Sequence, residues 1–186
     1  MARAFADDPV LSWLLRADAR LEQARLRYFE LAFAVQQRHE LVFCDASYRG
    51  AALWVPPDAW RLGFVSELRL LPSIVAMAGL SRVTRALRVL HTMESRHAQH
   101  AAEPHYYLFG VGVDPAHHGR GLGGALVSRG LVEADARGLA AYLECSNERN
   151  LTLYRRLGFE VLEEIGFGSG SPRMWLMRRD ARQTPL

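Results

Sequence analysis

Hydrophobic and polar positions along this chain follow first a helical period, then alternate between strand and helix. Asp7-Asp8-Pro9 offers a cap with proline at an early helical position, predicting a short helix through Leu15. From Asp18 to His39 the spacing predicts a long helix, with Leu21, Ala24, Tyr28, Ala32 and Val35 on one stripe. Leu41–Cys44 and Ala51–Val55 read as strands joined by a hairpin loop, Asp45-Ala-Ser-Tyr-Arg-Gly50, and Pro56-Pro57 ends the second. Residues 60–99 carry two helical patterns broken near Gly79. The remainder alternates: strand Tyr106–Val113, helix Leu122–Arg137 closed by Gly138, strand Ala141–Glu144, helix Glu148–Leu157 closed by Gly158, then strands Phe159–Ile165 and Arg173–Met177. The order predicts an α/β fold with a mixed sheet.

Composition sets the class. A chain of 186 residues, 49% hydrophobic and 23% charged, predicts one ordinary globular domain, 1–186, with no disorder and no fibre. No apolar stretch reaches membrane length and the first residues lack a leader-like apolar core, so no membrane association is expected. Two cysteines, Cys44 and Cys145, make no disulfide framework and suit a reducing cytoplasm. All 23 basic residues are arginine, in a chain rich in Ala and Leu, which points to a GC-rich bacterial genome rather than a selected basic face. The net charge of +3, with arginines spread among acids, argues against a nucleic-acid partner.

Two segments carry chemistry. In Val113-Asp-Pro-Ala-His-His-Gly-Arg-Gly-Leu-Gly-Gly124 a strand ends, a glycine-rich turn follows and a helix begins. Converging backbone N–H groups at a helix N-terminus make a pyrophosphate cradle, and Arg120 can add a charged contact. The alternative is a tight turn and nothing more. Gly119-x-Gly121-x-x-Gly124 also matches the dinucleotide fingerprint literally, with Glu144 about 20 residues on. Five residues separate those glycines from the strand, and too little chain follows for a second mononucleotide half. The second segment, Asn150-Leu-Thr-Leu-Tyr154-Arg-Arg-Leu-Gly158-Phe159, places Asn150 and Tyr154 four apart, on one helical face.

Together, with a strand between them, these segments resemble the Gcn5-related N-acetyltransferase (GNAT) family. The family's first motif, [Q/R]-x-x-G-x-[G/A], aligns with His118-Gly-Arg-Gly121-Leu-Gly123, where His118 stands in the Gln/Arg position. Further segments look like puromycin N-acetyltransferase and its relatives: Ala4-Phe-Ala-Asp-Asp-Pro9, Glu103-Pro104, the Val-Gly-Val113 strand end, Leu143-Glu144 and Arg173-Met-Trp175-Leu-Met-Arg178. The similarity is clear over 104–178 (a core expected to bind acetyl-CoA), patchy over 4–57 and weak over 58–103, within an acceptor-side segment 1–103. Such proteins usually have a strand ahead of the Ala-Phe-Ala-Asp-Asp-Pro segment. Its absence here implies a sheet without its opening strand, leaving Leu41–Cys44 unpaired on one side; a misplaced start codon is one cause to check.

The resemblance implies direct transfer of an acetyl group from acetyl-CoA to a primary amine of a small molecule, antibiotic-like ones among the options, in a ternary complex, without metal. A homodimer is left open. The implied fold splays strands Tyr106–Val113 and Ala141–Glu144 around the pantetheine arm. Val111 and Val113 would pair with it, and the N–H groups of His118, Gly119, Arg120, Gly121, Leu122, Gly123 and Gly124 would hold the pyrophosphate, with Asn150 and Tyr154 also at the cofactor. Tyr154 would help the leaving thiolate and Glu144 would act as base, directly or through water; the alternative for Glu144 is a solvated strand-end carboxylate. Asp7 and Asp8 are weaker candidates for the base, since helix capping already accounts for them. His97, His100 and His105 lack a metal-ligand pattern and read as a solvated helix end. Cys145 has no His–Asp partner set for nucleophilic work. Trp13, Trp54, Tyr106 and Trp175 line either an acceptor pocket or the core. A different function class also fits: an acetyl-CoA-binding sensor or subunit that has lost transfer activity.

Overall fold

The strand-forming runs assemble into a six-stranded mixed sheet of order β1-β2-β3-β4-β6-β5, in a computed structural model that describes residues 1–57, 59–60 and 64–182. The strands are β1 (Val42–Cys44), β2 (Gly50–Val55), β3 (His105–Val113), β4 (Ala140–Cys145), β5 (Glu160–Gly166) and β6 (Arg173–Arg179). The helices are α1 (Pro9–Leu14), α2 (Leu21–Gln36), α3 (Phe64–Ala78), α4 (Val83–His100), α5 (Leu122–Ala136) and α6 (Leu151–Arg156). β3 and β4 pair in parallel and every other pair is antiparallel. The α/β fold and its central parallel pair are as expected.

Local chemistry explains most boundaries. Asp8 caps α1, its Oδ1 accepting from the Leu11 N–H at 2.8 Å, and Pro9 opens the helix. Gly138 and Gly158 end α5 and α6 in the left-handed region, at φ 65° and 94°. Past each glycine the next N–H reaches back to close the helix: Leu139 to the Ala134 carbonyl and Phe159 to the Tyr154 carbonyl, both at 3.0 Å. Gly79, at φ 73°, separates α3 from α4 where the pattern breaks. The helical pattern expected from residue 60 begins at Phe64 among the described residues, and 61–63 lie outside them. The long helix expected over 18–39 is shorter: α2 ends at Gln36 and tightens into a 3₁₀ turn over Gln37–His39.

The sheet is covered on both faces. On one, α5 and α6 bury Leu126, Val127, Leu131 and Tyr154 against Trp54, Leu108, Leu143 and Met177. On the other, Val10 of α1 and Val89 of α4 meet Val55, Tyr107, Tyr142 and Leu176. Trp54 lies flat beneath α5, where a Cβ on Gly130 would fall 2.2 Å from its ring, so glycine is required there. Arg179 is buried and joins three elements: its guanidinium pairs with both Asp135 oxygens at 2.8 Å and donates to the Leu157 carbonyl at 3.0 Å. Residues 2–7 form turns, not a strand, and no strand pairs with the outer side of β1 among the described residues. Arg3 pairs with Asp114, while Met1, Ala4 and Phe5 lie over Gly112, where any side chain would collide with them. No helix among the described residues is long and apolar enough to cross a membrane.

Candidate active site

The parallel pairing of β3 and β4 runs from His105↔Ala140 to Leu108↔Leu143 and stops there. β3 continues to Val113, paired with β2 alone, and β4 continues to Cys145, paired with β6. A wedge therefore opens beyond Leu108 and Leu143. Backbone groups alternate sides along a strand. The Asp114 N–H donates towards β2, to the Arg49 carbonyl at 2.7 Å, so the polar groups of Val113 and Val111 face the wedge. The Val113 carbonyl accepts from His118 Nε2 at 2.9 Å. The Val113 N–H and both groups of Val111 remain for a ligand.

The glycine loop lies at the mouth of this wedge. Asp114 caps a 3₁₀ turn, Pro115–His117, through the Ala116 N–H, and the chain then extends through His118. Gly119 and Gly121 adopt φ 75° and 76°, in the left-handed region that glycine favours. A Cβ on either would meet nothing within 4 Å, so the loop borders open space. Gly121 is the N-cap of α5 and has no side chain to occupy the helix's free N–H groups. Gly123 and Gly124 lie in the first turn of α5, and a Cβ on them would make ordinary contacts with Val113 and Leu153. His118 pins the loop through its own ring, beyond its backbone amide. Arg120 is exposed.

Tyr154 is buried beneath the wedge, edge-on to Phe159 at 6.0 Å between ring centres. Burial pushes its phenol well above the ordinary value, with Cys145 and Asp8 adding to the shift. It is therefore protonated at every working pH. Glu144 lies one residue past the last β3–β4 pair, and strand alternation turns its side chain to the α4 face, opposite Cys145. That side chain is 3% exposed, with Oε1 3.4 Å from His97 Nδ1. Tyr107 and Tyr142 sit close by; burial first, then the Glu144 charge, pushes both phenols up.

Residues 62–159, more than half of the chain, match the model of the acetyltransferase (GNAT) family. The chain belongs to that family. A mycothiol acetyltransferase of Streptosporangium roseum is 46% identical over 63 residues, covering 32% of this chain and 19% of that protein. One from Propionibacterium freudenreichii is 34% identical over 73 residues, 37% of this chain and 23% of that protein. This chain thus spans about a fifth of the length of these relatives. A Corynebacterium glutamicum structure described as histone acetyltransferase HPA2 and related acetyltransferase covers 100% of this chain and 89% of its own, at 25% identity and a TM-score of 0.68. The arylalkylamine N-acetyltransferase 2 of Aedes aegypti shares the fold at 14% identity and a TM-score of 0.62, covering 97% of this chain and 91% of its own.

GNAT enzymes use acetyl-CoA, and this wedge with its glycine cradle fits that ligand: unpaired strand amides line the wedge and open space lies before the loop. Several sequence expectations need correction. The helix expected over Glu148–Leu157 opens instead as a 3₁₀ turn, Glu148–Asn150, capped by Asn147; Asn150 is exposed at the N-cap of α6 and Tyr154, four residues on, is buried. Glu144 is not a solvated carboxylate. His97 and His105 are not a solvated helix end; they are 3% and 2% exposed, with their Nε2 atoms 2.7 Å apart. His100 is half-buried against Glu163 at 2.7 Å. Among the described residues no group of three or more His, Cys, Asp or Glu is placed to hold a metal ion.

Aromatic candidates divide. Trp54 and Tyr106 are core, Trp175 donates from Nε1 to Glu164 at 3.0 Å, and Trp13 is half-buried beneath the Arg85 guanidinium. Cys145 donates to the Asn147 carbonyl, and burial pushes its thiol up to about 11, which leaves it a poor nucleophile. Asp7 is exposed, whereas Asp8 is buried and its second oxygen accepts from the Ser146 hydroxyl, tying α1 to the end of β4. Trp60, which the sequence did not single out, stacks on the His97 ring at 3.9 Å and 5°.

Proposed function

We propose that this chain is an acetyl-CoA-dependent N-acetyltransferase acting on a primary amine of a small molecule by direct transfer in a ternary complex. Residues 1–186 act as one domain, with a cofactor-binding core over 104–178 and an acceptor side over 1–103. The observation that carries the reading is the wedge: β3 and β4 part after one short parallel run, and a glycine loop with left-handed turns ends at a helix N-terminus beside it. Val111 and Val113 would hold the pantetheine arm by backbone hydrogen bonds, and the N–H groups from His118 to Gly124 the pyrophosphate. Hydrogen bonds to charged groups contribute about 1.5–3 kcal/mol each, so three or four support micromolar affinity after the entropic cost of association.

Bound acetyl-CoA supplies the acetyl group and its sulfur leaves as a thiolate. The protein's part is proton placement. Alkyl amines are largely protonated at neutral pH, and Glu144 takes that proton, directly or through a water. Tyr154, held protonated by burial, offers its O–H to the departing sulfur and contributes less, because a thiol of pKa about 8.5 leaves readily. Acid and base thus project from opposite faces of the sheet at the point where the wedge opens. The resemblance is clear only over the cofactor-binding core, 104–178, and weak on the acceptor side, so it does not carry over an acceptor; the match to mycothiol acetyltransferases covers about a third of this chain and does not select one either. Rate–pH profiles at saturating acetyl-CoA test the roles. Glu144→Gln should lose about 10²–10⁴ in rate, recovering as pH rises and the amine becomes neutral. Tyr154→Phe should lose roughly 10–100-fold, unrescued by alkali. Equal, pH-independent losses would show that Glu144 only positions the substrate.

A further inference from the structure

The buried residues behind Glu144 form a chain whose protons can be counted. His105 Nδ1 lies 2.7 Å from the Glu103 carbonyl, which only accepts, so Nδ1 carries a hydrogen. His97 Nε2 and His105 Nε2 are 2.7 Å apart, so one hydrogen lies between them. When His105 is neutral that hydrogen belongs to His97, and His97 Nδ1 is then a lone pair facing Glu144 Oε1 at 3.4 Å. This last contact is longer than the other two and brings two lone pairs face to face, so a proton can be added there.

We propose that Glu144 and His97 together hold the proton taken from the acceptor amine, with His105 fixing the tautomer that presents His97 Nδ1 to the carboxylate. This rests on Glu144 being the base. The proton enters at Glu144, no bond to carbon changes, and the pair goes from one negative charge to neutral while His105 keeps its tautomer. The gain is in basicity. An isolated carboxylate titrates near 4.3 and an imidazole near 6.5, and a general base works best near the operating pH. Sharing the proton with His97 makes an imidazole part of the base. The surroundings agree. Burial above all, with the Arg178 charge adding to it, lowers the proton affinity of His105, keeping the proton on the Glu144 side. Trp60 lies flat against His97, and a ring face stabilises an imidazolium. The other groups facing the chain are Tyr28 of α2, Tyr107 of β3, Tyr142 of β4, Glu163 of β5 and Arg178 of β6. The tyrosines are all shifted upwards and stay neutral.

Two measurements test this. Ring-nitrogen NMR of the unsubstituted protein needs no variant: His105 should show protonated Nδ1, and His97 protonated Nε2 with an Nδ1 that titrates. In Glu144→Gln, the His97 titration should shift or vanish. Identical His97 titrations in both proteins would overturn the chain. The second is the rate–pH profile of His97→Gln, which keeps polar contacts but cannot take up a proton in the working pH range. Its acid limb should move to lower pH and its rate at pH 7 should fall about tenfold, with KM for acetyl-CoA unchanged. An unshifted acid limb would overturn the proposal even if the rate fell, since a packing defect moves no acid limb. Glu144→Gln at full rate would refute Glu144 as base. Glu144→Gln inactive with an uncoupled His97 would refute the chain alone.

Discussion

Replacing Gly121 by alanine separates backbone strain from ligand binding. Gly121 sits at φ 76°, and an L-residue in the left-handed region costs about 1–2 kcal/mol. No clash adds to that, because the new Cβ meets nothing within 4 Å. For a domain of this size the melting temperature should fall by about 2–8 °C. The effect on acetyl-CoA should be larger in proportion. If the loop relaxes to relieve the strain, or the methyl group occupies the phosphate's place, at least one charged hydrogen bond is lost. At about 1.5–3 kcal/mol each, that weakens binding about 10- to 150-fold. Gly138→Ala is the control: it lies at φ 65°, also faces open space, and caps the far end of α5. It should lower the melting temperature similarly and leave acetyl-CoA affinity unchanged. Calorimetric titration and a thermal melt on both variants suffice. Gly121→Ala binding acetyl-CoA as tightly as the unsubstituted protein would refute the cradle.

Other outcomes follow from the same geometry. His118→Gln should leave acetyl-CoA affinity unchanged in a titration, since its amide can also donate to the Val113 carbonyl, whereas His118→Ala should weaken it. Gly130→Ala should destabilise by about 1–3 kcal/mol in a denaturant melt, because Trp54 occupies the space the methyl group needs. Asp135 is held below the usual carboxylate range by the Arg179 guanidinium, so its contribution is present above the unfolded value near 3.9 and is lost as pH falls through its folded value. The stability gap between the protein and Asp135→Asn, measured by denaturant melts, should therefore close in acid; a gap unchanged down to pH 2 would exclude the ion pair as its source.

What the sequence made legible was local. The cradle, the hairpin and the glycine stops at Gly138 and Gly158 each lie within a few residues, and each follows from a turn or cap that only certain side chains satisfy. The wedge needed one step more, from two motifs to a strand pair. The Glu144–His97–His105 chain was not legible, because β4 comes back in space to the end of α4 and the start of β3 across a long stretch of sequence, and a histidine at a helix end carries no sign of what will cover it. The 3₁₀ turn that opens the expected helix Glu148–Leu157 left no mark in the residue spacing. Trp54 beneath Gly130 and Ser146 against Asp8 were hidden in the same way, since a close approach between distant elements leaves only a glycine or a small polar residue to show for it.

The most direct test of the central claim is thiol release from acetyl-CoA by the unsubstituted protein over a panel of primary amines that includes puromycin, with products read by mass spectrometry. The account predicts that at least one amine drives thiol release and that each released thiol is matched by one N-acetylated amine. Tight acetyl-CoA binding with no amine raising thiol release above background hydrolysis would contradict it, and would make this chain an acetyl-CoA-binding protein without transfer activity.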